Sequence, residues 1–134
     1  MPNANDSRNA LHELEHHALS TSESEEHRYV LAVPSELPVL AAHFPGSPIV
    51  PAFVELREVV GRAASAWPRL GAWRGASALK FQAPIRPGDR LELRLRRAEG
   101  TERVRFTIVI TDGSAPGTRC AVGTLLFEGA QEPA

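Results

Sequence analysis

A chain of 134 residues, 43% hydrophobic and 23% charged, is the size and composition of one soluble globular domain, long enough to bury a core. No apolar run approaches a membrane span, and the polar, acidic N-terminus MPNANDSRNALHELEHH has the pattern of neither a signal nor a transit peptide. One cysteine, Cys120, excludes an internal disulfide, so a cytoplasmic protein is expected. The net charge of -1 is unevenly spread. Residues 1–56 carry eight acids and two arginines, a balance of -6; residues 57–105 carry eleven arginines, one lysine and five acids, a balance of +7; the remainder gives -2. A basic middle suits an acidic partner or simply solvated strand faces.

Residues 1–10 are small, polar and unpatterned, which predicts disorder. LHELEHHALSTSE alternates weakly and fits a first strand or a short helix. HRYVLAVP places Tyr29, Leu31 and Val33 on one face and reads as a strand ended by Pro34. SELPVLAAHFPG is a turn or short helix leading into a proline-rich loop. From Ala52 the period becomes helical: Leu56, Val59, Val60, Ala63, Ala64 and Trp67 share a stripe. Pro51 suits the first turn, where a missing N–H costs nothing, and Pro68 ends the helix.

Strands follow. ASALKFQAPI alternates through Leu79, Phe81, Ala83 and Ile85, and PGD at 87–89 supplies a turn. RLELRLRR sets Leu91, Leu93 and Leu95 against arginines. RVRFTIVITD alternates through Val104, Phe106, Ile108 and Ile110, and TRCAVGTLLFE is the last strand, before a loose tail at 130–134. One helix among antiparallel strands is an α+β architecture forming a single domain over 11–129. One helix cannot cover a broad sheet, so dimerisation is expected.

HFPGSPIVP followed at once by a helix resembles the hotdog-fold 3-hydroxyacyl-[acyl-carrier-protein] dehydratases. His43, Phe44, Pro48, Ile49, Val50 and Pro51 match that family's signature, and LKFQAPIRPGDRLEL and VGTLLF sit where its later strands lie. The likeness spans about residues 27–128. It is strongest to the dehydratase-like proteins of aryl polyene pigment pathways.

The resemblance implies a hotdog fold, with the sheet wrapped around one long central helix, and a reaction. A histidine removes the proton α to a thioester, a helix carboxylate protonates the leaving 3-hydroxyl, and backbone N–H groups at the helix start polarise the carbonyl. Such a base needs a pKa near working pH, and the enolate-like charge needs preorganised donors. Carried over, His43 is the base and Ala52 an oxyanion donor through its N–H. Phe44, Gly46, Pro51 and Phe53 lie around the substrate. The acyl carrier protein is the implied partner, with no cofactor and no metal.

The family's carboxylate falls fourteen residues after the histidine, at Arg57. Arginine keeps its proton, so it cannot be the general acid. With Val60 at the centre of the apolar face, Arg57 lies roughly 60° away, at its edge. Glu58 and Glu55 lie roughly 160° and 140° away, toward solvent. Arg57 then becomes an electrostatic or substrate-positioning group that lowers the His43 pKa. The alternative is a catalytically silent homologue, binding acyl chains or scaffolding a heterodimer. An acyl-thioesterase is third.

Other candidates have plainer readings. His12, His16 and His17 with Glu13 and Glu15 look like metal ligands but lack a further cluster, and read as a solvated segment. Cys120, on an alternating strand, reads as core. Arg94, Arg96, Arg97, Arg103 and Arg105 form a basic strip with few aromatics, which suits an acidic protein better than nucleic acid.

Overall fold

The alternating apolar residues of the C-terminal half set the architecture. Leu91, Leu93 and Leu95 of one strand, Val104, Phe106, Ile108 and Ile110 of the next, and Cys120, Ala121, Leu125 and Phe127 of the last are all buried. Each strand turns its apolar face the same way, and the sheet has one dry side. The computed structural model describes residues 10–36 and 48–129. It contains β1 (His12–Ser20), β2 (Ser24–Ala32), α1 (Ala52–Ala66), a 3-10 turn (Pro68–Leu70), β3 (Trp73–Phe81), β4 (Arg90–Ala98), β5 (Arg103–Asp112) and β6 (Arg119–Phe127).

The six strands form one antiparallel sheet in the order β1-β2-β4-β5-β6-β3. The chain leaves β2, runs through α1, and returns as β3 at the far edge, so the helix packs across the dry side of the sheet. Val54, Val59 and Ala63 of α1 are fully buried against the core. This is the expected hotdog arrangement. The ambiguous first segment is a strand, hydrogen-bonded to β2 along its length, and its side chains are exposed.

The third strand differs from its reading. It runs Trp73–Phe81 and stops before Ala83 and Ile85. Its pairing to β6 shifts between Ser77 and Lys80, where Ala78 adopts a φ of 51°. That bulge breaks the alternation, so Leu79 and Phe81 stay more than a third exposed while Ile85, beyond the strand, is completely buried.

The PGD turn does more than reverse the chain. Asp89 is buried, and its carboxylate accepts from the Arg86 N–H at 2.8 Å and from the Ser114 N–H and Oγ at 2.7 and 2.9 Å. Asp89 O also accepts from Val33 N–H, so one residue joins the end of β2, the turn before β4 and the turn after β5. Gly113 is required there: with a φ of 123°, a Cβ would sit 2.3 Å from Asp89 Oδ1. The disorder expected for residues 1–10 and the loose tail at 130–134 lie almost wholly outside the described residues.

Candidate functional site

The helix start is where the sequence placed the chemistry. Pro51 is the N-cap, extended at φ -62° and ψ 147°, and no side chain among the described residues caps the first turn. Pro51 O accepts from the N–H groups of Val54 and Glu55, at 3.0 and 3.3 Å. Val50 N–H donates to Ile85 O at 2.7 Å, pinning the approach to the helix against the segment before β4. Ala52 is exposed at the first helical position, where a backbone N–H can meet an incoming anion. His43, Phe44 and Gly46 lie outside the described residues.

The helix has two working faces, and its orientation corrects the helical-wheel reading. The sheet-facing side is built from Val54, Glu55, Val59 and Ala63, all buried, with Val60 only partly so. At about 100° per residue, Glu55 falls near the centre of that arc and Arg57 roughly 160° from it. Arg57 therefore lies on the side of α1 turned away from the sheet, with the exposed Phe53 and Ala64. Phe53, one turn before Arg57, is 44% exposed. Glu58 is not toward solvent either. It accepts from the Leu11 N–H at 2.7 Å and from Arg62 Nε at 3.3 Å, and Arg62 also donates to Glu13 at 2.6 Å.

Glu55 is the residue that the sequence reading missed. It is 5% exposed, and among the described residues its Oε1 has no hydrogen-bond partner. A carboxylate in the first turn of a helix is ordinarily favoured by the helix dipole, by about 0.3–1 kcal/mol. Burial outweighs that preference and pushes the Glu55 pKa up to about 8, so the side chain is mostly protonated at neutral pH. Its neighbour Cys120 is pushed up to about 11, first by burial and then by the Glu55 charge. The signal was available: Glu55 stands four and eight residues before Val59 and Ala63, on one stripe.

Among the described residues, no group of three or more His, Cys, Asp or Glu side chains is placed to hold a metal ion. Of the β1 histidines, His16 joins a ring stack with His27 and Tyr29 of β2. His16 lies 4.1 Å from the Tyr29 ring, and His16 Nε2 is 2.7 Å from His27 Nδ1. Trp67 meets His27 edge-on, and Arg62 lies over Tyr29. Burial, and then the His16 charge, lower the His27 pKa. Among the described residues, no helix is long and apolar enough to cross a membrane.

Several solved structures share this fold. An uncharacterized protein from Erwinia carotovora subsp. atroseptica is 26% identical with a TM-score of 0.79, over 89% of this chain and 96% of that one. The dehydratase heterocomplex ApeI:P from Xenorhabdus doucetiae is 19% identical with a TM-score of 0.72, over 85% and 94%. R-hydratase PhaJ1 from Pseudomonas aeruginosa is 19% identical with a TM-score of 0.54, over 85% and 84%. At that identity the last two speak for the fold alone. No curated protein matches the sequence. The ApeI-like model, described as ApeI dehydratase, matches residues 19–120, and with three quarters of its length inside that match the chain belongs to the ApeI-like family of hotdog dehydratases.

Proposed function

We propose that the protein dehydrates a 3-hydroxyacyl thioester held on an acyl carrier protein, giving the trans-2-enoyl thioester in a fatty-acid-like or polyene synthesis in the cytoplasm. Membership of a dehydratase family supports the reaction class. The observation that carries the site is the helix start. An uncapped first turn follows Pro51 directly, and Phe53 and Arg57 share the side of α1 that faces away from the sheet.

In this reading His43 takes the α-proton while the Ala52 N–H stabilises the negative charge growing on the thioester oxygen. Phe44, Gly46, Pro51 and Phe53 shape the space around the acyl chain. Arg57 stands where a proton donor would, and its permanent charge holds the substrate hydroxyl and disfavours the protonated form of His43. His43, having taken the α-proton, returns it to the leaving oxygen. Glu55 carries a proton at neutral pH but faces the sheet, on the other side of the helix from Arg57, and does not act as the donor.

The acyl site is completed by a second subunit. Exposed Trp73, Leu79 and Phe81 on the edge strand β3, with Phe53 on the helix, support such pairing. The test is incubation of the purified protein with a 3-hydroxyacyl carrier substrate, reading the acyl mass. Loss of one water, abolished in His43→Ala, is the expected result; an unchanged acyl mass overturns it.

Arg57 also favours a second reading, in which the chain is a silent homologue supporting an active partner. A fold neighbour is itself a dehydratase heterocomplex. Turnover that appears only in Arg57→Glu selects this alternative.

A further inference from the structure

The strap from Ile85 to Asp89, between β3 and β4, is fastened more firmly than a turn requires. The turn is closed by the Asp89 N–H, which donates to Arg86 O at 3.1 Å, with Gly88 at a φ of 88°. Neither feature uses the Asp89 side chain. Yet Asp89 is 1% exposed, and its carboxylate takes three further hydrogen bonds, one from the Arg86 N–H and two from Ser114, twenty-five residues on. Hydrogen bonds to a carboxylate are among the stronger ones in a protein.

The strap has two other attachments. At one end Gly88 N–H donates to Val33 O and Val33 N–H to Asp89 O, both at 2.9 Å, which stitches it to the residue after β2. At the other end Ile85 O accepts from the Val50 N–H at 2.7 Å, two residues before Ala52. Ile85 is completely buried and Val50 is 3% exposed, so no water replaces this bond if the strap shifts. The first turn of α1 has no side-chain cap among the described residues, and its place is set by packing and by the backbone that leads into it. The route from Asp89 to the helix start is short. The carboxylate fixes Arg86, Arg86 follows Ile85, and Ile85 holds Val50.

We propose that Asp89 is a positioning residue for the helix start, acting through this strap on the Ala52 N–H. It touches no substrate. The role rests on the proposed function, in which that N–H receives the negative charge growing on the thioester oxygen. Such a donor works only when it is already in place, and a displacement of about 1 Å costs about a hundredfold in rate. Loosening the strap slows turnover and leaves ground-state binding alone.

The test is Asp89→Asn, which keeps the size of the side chain but turns one accepting oxygen into a donor, set against the Arg86 N–H or the Ser114 N–H. Beside it stands Val104→Ala, a control for lost stability alone. It opens a cavity at the opposite end of β5, roughly 27 Å along the strand from Asp112. Dehydration kinetics and Val50 amide exchange are read in the full-length proteins, well below the Tm of each. Expected in Asp89→Asn are a kcat lower about tenfold or more, a KM within about threefold, and a Val50 amide exchanging about tenfold faster. Val104→Ala should show none of these. A wild-type kcat or an unchanged Val50 amide in Asp89→Asn overturns the proposal, and so does the same loss in Val104→Ala. If Asp89→Asn does not fold, Ser114→Ala, which removes only the Oγ bond, takes its place, with the same changes expected at smaller size. The exchange reading needs no substrate. A wild type without turnover therefore sinks the dehydratase reading alone, and the Val50 amide still decides whether Asp89 holds the helix start.

Discussion

Glu55 makes the stability of this protein depend on pH in the sense opposite to that of an ordinary carboxylate. Its pKa is about 8 in the fold, against 4.5 for the unperturbed group. The folded state therefore holds a proton that the unfolded chain has already released. Stability is fully present below the unfolded pKa and falls as pH rises through the window from 4.5 to 8. At 1.36 kcal/mol per unit, with the ends of the window rounding off the slope, the loss between pH 5 and pH 8 is about 3.5 kcal/mol, a large share of the stability of a small domain. Cys120, at about 11, does not titrate in that range.

Glu55→Gln removes the titration while keeping the shape. The assay is urea unfolding of both proteins at pH 5, 6, 7 and 8, read as the change in stability between the ends. The wild type should lose about 3.5 kcal/mol across the range, and the variant little of it. Absolute stabilities are a poorer guide, because the amide also leaves a buried polar group unmatched. A wild type whose stability is flat, or a variant that keeps the full slope, refutes the reasoning. Dehydration by Glu55→Gln should persist at neutral pH, since the side chain faces the sheet.

Asp89→Ala strips the acceptor from Arg86 N–H, Ser114 N–H and Ser114 Oγ. It should cost about 3 kcal/mol or more, seen as a lowered Tm. Gly113→Ala forces a Cβ onto Asp89 at a φ of 123° and should lower the Tm by a similar amount. His27 should titrate below 6.5 in an NMR pH series, because burial and the His16 charge both oppose its protonation. It thereby contributes stability above pH 6.5 that is lost as pH falls toward its folded pKa. His16→Ala should bring that titration up toward the ordinary value.

The strands were legible because period-two alternation over nine or ten residues has one interpretation once a side is dry. Leu91, Leu93 and Leu95, and Val104, Phe106, Ile108 and Ile110, were each assigned to one face and are buried. β3 was misread beyond Phe81 because a bulge at Ala78 carries no compositional mark, while Ala83 and Ile85 continue the alternation in the sequence. The start of the helix was legible from Pro51 and the period that follows. Its rotation was not, and the reason is physical. Apolar residues occur on both sides of α1, Val54, Val59 and Ala63 on one and Phe53 and Ala64 on the other, with Val60 partly buried at the edge of the core. A wheel centred on Val60 averages the two sides and turns both glutamates toward water. Glu58 shows why: Arg62, one turn on, is a partner that local spacing can suggest, but the Leu11 N–H, forty-seven residues away, is one that no local pattern encodes.

That second apolar stripe gives the position of Arg57 its significance. A helix buried on one face only would leave a residue roughly 160° from the core arc in free solvent, where arginine is unremarkable. Here the residue has Phe53 one turn before it and Val60 and Ala64 around it, and it is itself half-buried. The sequence thus places a permanent cation on an apolar face next to the first turn, where negative charge is best received. In the proposed site, a carboxylate at this point would oppose an anion at the helix start, whereas a guanidinium would reinforce its binding. Arg57→Glu consequently tests more than a proton donor. If His43 works alone, the reversal should slow dehydration by removing support for the developing oxyanion. If the chain is silent, the same change should start it. One substitution, read as acyl mass with and without His43→Ala, separates the two chemistries.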